Sequence, residues 1–163
     1  MEDSVEQRVK KIEDVIERMS SRINTIVRNL EEQEQRSVKE IKELIILLTS
    51  AVEAMSIIRY YDLRQDTSLD KLEGVLSCLR RIEEIRQSTD YNELREYALE
   101  RENVIFGAFL ELAKHKNIAP NEILVFCVEK LGKNVLREIV RVEDISYAFG
   151  TDEALRWKRL LEL

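Results

Sequence analysis

The sequence predicts an all-α protein, in which a long N-terminal coiled-coil helix is followed by a compact multi-helix domain. The 163 residues include only 4 Gly and 1 Pro, which leaves few places for turns. No segment alternates apolar and polar residues between turn residues, as a strand would. Apolar residues instead recur every three or four positions along most of the chain, which is the spacing of amphipathic helices.

The most regular of these repeats lies in residues 5–30 and has the alternating spacing of a coiled coil. We call its eight apolar residues the seam. They occupy the heptad a positions (Val9, Ile16, Ile23 and Leu30) and d positions (Val5, Ile12, Met19 and Ile26). A stripe this narrow cannot be buried by a single helix, so the seam predicts a partner helix. At its start, Ser4 and Gln7 have the spacing of a capping box.

A wholly polar segment, residues 31–37, follows the seam, and the apolar pattern resumes at Ile41. Leu30 and Ile41 are eleven residues apart, so a continuous helix keeps the stripe on one face if it contains a stutter. The alternative is a hinge at 31–37. Because this segment contains neither Gly nor Pro, we favour the continuous helix.

From residue 38 to residue 58 the apolar face becomes wider, which is typical of a helix that packs against two or more neighbours. Its members are Val38, Ile41, Leu44, Ile45, Ile46, Leu47, Leu48, Val52, Met55, Ile57 and Ile58. We therefore expect this half of the helix to be embedded in a bundle. The predicted domains are an oligomerisation helix at 1–60 and a helical bundle at 66–163.

Cap and breaker residues divide the remaining chain into helices. Residues 60–70 are predicted to connect the first helix to the second. Asp90 and Glu93 have capping-box spacing and predict the start of the third helix. Pro120 suits the first position of a fourth helix, and Gly132 suits its C-terminal cap. A last helix, carrying Trp157, is predicted after Gly150.

The net charge of −6 argues against non-specific nucleic-acid binding, because contacts to phosphate dominate the affinity of such complexes. Only residues 114–163, with nine Lys/Arg and eight Asp/Glu, carry a net charge of +1. The most apolar stretch, residues 44–58, has 15 residues and contains Glu53, so it is too short to cross a bilayer.

The N-terminal sequence and the cysteines indicate the localisation. The N-terminal sequence MEDSVEQRVKK is charged from its second residue, which predicts no secretory signal. Cys78 and Cys127 lie in apolar helical contexts and are predicted to be buried thiols in a reducing compartment. We expect a cytoplasmic protein without membrane association. A composition rich in Glu, Arg and Ile with few Gln is typical of thermophiles.

Residues able to support catalysis are sparse. His115 is the single histidine, and its spacing of four from Glu111 predicts a surface ion pair at a helix end. The four glycines are isolated, so no Gly-rich phosphate loop is present. No set combines a nucleophile with a base. We predict no catalytic residues, no cofactor and no metal site.

Residues 143–160 resemble a helix-turn-helix, the C-terminal part of a subdomain at 120–163. Ile145 and Phe149 would be the buried residues of its first helix, and Ser146 would allow close approach. The pattern departs from a helix-turn-helix at Leu155, which comes one position too early to be the first core residue of the second helix. The candidate DNA contacts are Arg156, Lys158 and Arg159.

A second resemblance lies at residues 128–136, VEKLGKNVL, which are similar to the helix-Gly-helix of the archaellum accessory D/E domain. That domain can follow a coiled coil, but its aromatic hallmarks are missing around this segment. No residue role is carried over from it.

These observations predict a non-enzymatic scaffold, adaptor or assembly factor. The N-terminal helix is expected to bind copies of itself, as a dimer or a trimer, and the protein is expected to bind another protein as well. The alternative is a dimeric transcription regulator that binds DNA through a C-terminal helix-turn-helix.

Overall fold

The computed structural model describes residues 4–163, and every regular element in this range is helical, as the sequence predicts. A long N-terminal helix is followed by shorter helices that pack together. The elements are α1 (Val5–Asp62), a 3₁₀ turn (Leu69–Leu72), α2 (Glu73–Ser88), α3 (Asn92–His115), α4 (Pro120–Leu131), α5 (Lys133–Ile139), α6 (Val142–Phe149) and α7 (Thr151–Leu161).

The chain divides into two units, Met1–Ile41 and Lys42–Leu163, which we call the N-terminal unit and the helical unit. The boundary predicted from the sequence lies later, between residues 60 and 66. The difference arises because Leu47, Ala54 and Ile58 of α1 are buried in the core of the helical unit.

The predicted capping box begins α1. The Ser4 backbone N–H donates to Gln7 Oε1 at 3.1 Å, and the Gln7 backbone N–H donates to Ser4 Oγ at 3.3 Å. This reciprocal pair satisfies two backbone donors that have no carbonyl partner within the helix. Residues 31–37 are helical and belong to α1.

The core of the helical unit is built on α3, which contacts α2, α5 and α6. Both of its phenylalanines, Phe106 and Phe109, are fully buried, with ring centroids 5.8 Å apart. A helix that contacts neighbours on several sides must be apolar on several faces, and α3 buries nine of its residues. In addition, α4 contacts α2 and α5, and α7 contacts α5 and α6.

The wide apolar face predicted for residues 38–58 of α1 is only partly buried. Leu47, Ala54 and Ile58 are in the core, and Leu44, Ala51 and Ile57 are half-buried. The other members of the predicted face are exposed: Val38, Ile41, Ile45, Ile46, Leu48, Val52 and Met55. The expectation that the whole face is embedded was therefore wrong, because one packed side of a helix covers a stripe rather than the full width of this face.

The connection after α1 is shorter than the predicted 60–70. Lys116, just beyond the end of α3, donates from Nζ to the backbone carbonyls of Asp62, at 3.0 Å, and Arg64. Carbonyls at a helix C-terminus have no partner within the helix, and a cation there also suits the helix dipole. These long-range contacts explain why α1 continues to Asp62.

The predicted capping box of Asp90 and Glu93 was wrong, since the cap residue of α3 is Tyr91 and makes no side-chain cap hydrogen bond. Thr89 organises this turn instead. Its Oγ1 accepts from the Tyr91 backbone N–H at 3.3 Å and donates to Glu43 Oε2 of α1 at 2.7 Å.

The other predicted breakers are found where expected. Pro120 is the first residue of α4. Gly132 and Gly150 separate consecutive helices as single residues, with φ of +88° and +92°. With ψ of 153° and 169°, both lie in a backbone region that is essentially confined to glycine.

We predict that Gly132→Ala lowers the free energy of unfolding by about 1–3 kcal/mol, because a Cβ strains this backbone conformation. The open space around the ideal Cβ position excludes a steric clash as the cause. Urea unfolding followed by circular dichroism measures the change. Asn134→Ala, two residues later and exposed within α5, is the matched control and should be close to neutral. Equal stability of the two variants would contradict the expectation.

Candidate protein-interaction surface

All eight residues of the seam are exposed in the N-terminal unit, from 48% for Val9 to 76% for Val5. A helix brings residues three and four apart onto one side, so the seam forms one apolar stripe. Val15 and Val27, at a g and an e position, are also exposed. Fully burying a side chain of this type is worth about 1.5–3 kcal/mol. Covering the seam would therefore remove a large apolar surface from water.

The helical unit carries a second exposed stripe on α1, formed by Ile45, Leu48, Val52 and Met55. These residues are also spaced by three and four, on a different side from the buried Leu47, Ala54 and Ile58. Sequence reasoning did not separate the two stripes. Periodicity identifies both as helical faces, but only the positions of α2 and α3 decide which one is covered.

Part of this second stripe lines a groove between α1 and α3, together with Tyr97 and Arg101. The Arg101 guanidinium carbon lies 5.3 Å from the centroid of the Tyr97 ring. Its Nε is buried without a hydrogen-bond partner. The groove thus combines an apolar floor, an aromatic ring and a cation, a combination found at protein-binding surfaces.

A buried ionic cluster lies between α2, α3 and α5. Arg86 Nε donates to Glu102 Oε1 at 2.7 Å, and Arg86 Nη2 lies 2.6 Å from Glu138 Oε2 without the alignment of a hydrogen bond. Glu102 is fully buried and its Oε2 has no hydrogen-bond partner. Burial raises the pKa of Glu102 to about 7, although the Arg86 cation opposes the shift.

The reactive side chains singled out by the sequence are the two cysteines and the histidine. Cys78 and Cys127 are buried, as predicted, and burial raises the pKa of both thiols, so neither is activated as a thiolate. His115 Nδ1 lies 3.8 Å from Asp62 Oδ1 of α1, and not in the predicted pair with Glu111. Between residues 4 and 163, no group of three or more His, Cys, Asp or Glu side chains is placed to hold a metal ion.

The C-terminal cations lie on a helix–Gly–helix arrangement formed by α6, Gly150 and α7. Arg156 Nη1 is 3.6 Å from Glu153 Oε1, whereas Lys158 and Arg159 are exposed. Trp157 is fully buried, with its ring stacked on Phe149 at 6.4 Å between centroids.

The buried face of α7 differs from the prediction. Leu155, taken as the first core residue of the second helix, is 52% exposed, and Leu160 is also exposed. The buried residues are Ala154, Trp157 and Leu161, because the large Trp157 side chain sets which side of α7 faces the core. The first core residue thus comes even earlier than in the predicted register, which increases the departure from a helix-turn-helix.

No helix within the described range is long and apolar enough to cross a membrane. Comparisons with protein-family models, curated proteins and solved structures yield no match.

The buried Glu102 gives a testable pH dependence. Its pKa is raised from 4.5 to about 7 on folding. The folded state therefore holds the proton more tightly, and the stabilisation present below pH 4.5 is lost as the pH rises through 7. We predict that this group lowers the free energy of unfolding by up to roughly 3 kcal/mol across that window.

Glu102→Gln should flatten this dependence, because the amide does not ionise. Thermal unfolding of both proteins at pH 5 and pH 8 provides the comparison. Glu138→Gln removes a carboxyl from the same cluster at an exposed position and should retain most of the dependence. If wild type and Glu102→Gln lose stability equally between the two pH values, the buried carboxyl is not the cause.

Proposed function

We propose that this protein is a non-enzymatic scaffold or adaptor that self-associates through the seam of α1 and presents the helical unit to another protein. The observation that carries the proposal is the exposure of all eight seam residues at heptad spacing. A contiguous exposed apolar stripe of this length is a characteristic of an interaction surface, since soluble proteins rarely leave large apolar patches uncovered.

A second observation supports the adaptor part of the proposal. The groove between α1 and α3 lies in the helical unit, and its apolar members are not members of the seam. Self-association and recognition of a different protein would then use separate surfaces of the same chain, as an adaptor requires.

The state of the reactive side chains supports a non-enzymatic role. Both thiols lie in the core, and burial raises the pKa of each. The single histidine is more than half exposed and has an aspartate as its charged neighbour. Nucleophilic catalysis needs a thiolate, and burial together with the neighbouring Glu53 carboxylate raises the pKa of the Cys78 thiol, while burial alone raises that of Cys127.

We predict that Ile16→Asp combined with Ile23→Asp abolishes self-association and leaves the helical unit folded. Each aspartate would place a charge in the interface, where burial without a partner is strongly unfavourable. The helical unit has its own core, so its thermal unfolding should be unchanged. Sedimentation at micromolar concentration measures the mass, and circular dichroism measures the fold.

The matched control is Val125→Asp with Leu155→Asp, which adds two charges at similarly exposed apolar positions of the helical unit. This control should associate like the wild type. A wild-type chain that is a strict monomer would overturn the proposal, as would equal loss of association in both double variants.

DNA binding is the second candidate function, and the exposed cations Lys158 and Arg159 on α7 favour it. The arrangement of α6, Gly150 and α7 also has the element order of a helix-turn-helix. Three observations argue against DNA binding. They are the net charge of −6, the contact of Arg156 with Glu153 and the altered core register of α7. We therefore propose the scaffold first.

We predict no binding to duplex DNA at about 0.15 M salt, because the acidic chain repels phosphate. A gel shift with a random library of duplexes tests this. The matched variant replaces Arg156, Lys158 and Arg159 by Ala and should leave self-association unchanged. Sequence-selective binding that is strongly weakened in this variant, with a salt slope of log K reduced by about 2.7 units, would favour the regulator instead.

A further inference from the structure

We propose that the seam assembles three copies of the N-terminal unit, parallel and in register, as a three-stranded coiled coil. This inference rests on the proposed self-association and adds the partner, its orientation and the number of strands. The occupant of the exposed stripe is thus the same segment of two further copies of this chain.

The charges beside the seam favour the parallel orientation. The g positions are Arg8, Val15, Arg22 and Asn29, and the e positions are Glu6, Glu13, Ser20, Val27 and Glu34. In a parallel coiled coil, each g residue lies beside the e residue that is five positions later in the neighbouring helix. Arg8 then meets Glu13, and Asn29 meets Glu34, while the other two pairs contain no like charges.

An antiparallel arrangement has the opposite electrostatics, because g residues then share one edge of the interface and e residues share the other. For two helices, one edge would collect four arginines and the other six glutamates. Both edges would be self-repelling at low salt, and neither would contain an ion pair. The charged residues at g are positive and those at e are negative. The charge pattern of one helix is therefore complementary to that of a parallel copy.

The apolar residues favour three strands over two. Parallel dimers prefer leucine at d, whereas Ile at both a and d shifts the preference to trimers and tetramers. Three of the four d positions here are β-branched: Val5, Ile12 and Ile26. Val15 at g and Val27 at e extend the exposed stripe on both sides of the a and d residues. A wider apolar face suits contact with two neighbours, as each helix of a trimer makes.

The number of strands is tested by sedimentation equilibrium and native mass spectrometry of the full chain. The expected mass is three times 19.2 kDa. A dimer or a tetramer would overturn this inference but leave the proposed self-association intact. A strict monomer would overturn both, so the two failures are distinguishable.

Orientation is tested by charge exchange. Arg8→Glu with Arg22→Glu makes g and e alike in sign and should weaken the parallel assembly roughly tenfold at low salt, with a smaller effect at high salt. Mixing this variant with Glu13→Lys plus Glu34→Lys should restore association in part, because two of the three interfaces in a mixed trimer then pair g and e residues of opposite charge. An antiparallel assembly pairs g with g and would not be weakened, since its like-charged edge merely changes sign. That outcome would contradict the parallel orientation.

Register is tested with fluorophores on Lys10→Cys and Glu31→Cys, which are exposed b positions three heptads apart. The native thiols are buried and should not be labelled. Parallel strands in register predict strong energy transfer between labels at position 10 of different copies. Labels at 10 and 31 would be separated by about 32 Å along the axis and transfer less. The reverse order of efficiencies would exclude this arrangement.

Discussion

The structure depends on a simple constraint on amphipathic helices: a helix can bury only the faces that neighbouring elements cover. In the helical unit, α1 offers two apolar stripes, and the bundle covers the one that contains Leu47 and Ala54. In the N-terminal unit, the seam is exposed along its whole length. The proposed self-association follows from this constraint, because the apolar surface that the chain does not cover is repetitive, and another copy supplies a matching surface.

Within the helical unit, α3 can bury residues on several faces because neighbouring helices contact it on several sides. Its buried face includes Glu102, whose carboxyl is removed from water beside Arg86. Burying an ion pair contributes little net stability, but removing one partner leaves an uncompensated charge. The cluster joins α2, α3 and α5 through Arg86 and Glu138. We therefore attribute to it a role in fixing how these three helices pack rather than in adding to the stability of the fold.

The features that sequence reasoning predicted correctly are local ones. The capping box of Ser4 and Gln7 and the helix boundaries at Pro120 and Gly132 depend on residues a few positions apart. The errors involve contacts from distant segments: Thr89 rather than Asp90 organises the start of α3 because Glu43 of α1 binds it. The pairing of His115 with Asp62, the exposed stripe of α1 and the buried face of α7 likewise depend on tertiary packing, which periodicity alone does not specify.

The separation of the two surfaces has a functional consequence that one chain alone would not provide. Each copy carries its own groove between α1 and α3, so the proposed association through the seam would multiply the number of grooves in one particle. A partner that presents several copies of its own binding segment would then engage through linked contacts, and the effective concentration of the second contact raises the overall affinity. Weak recognition at a single shallow groove is sufficient under these conditions. Since each unit has a distinct apolar surface, the proposed recognition of a partner could change without altering the seam, a property that would distinguish an adaptor from a simple coiled coil.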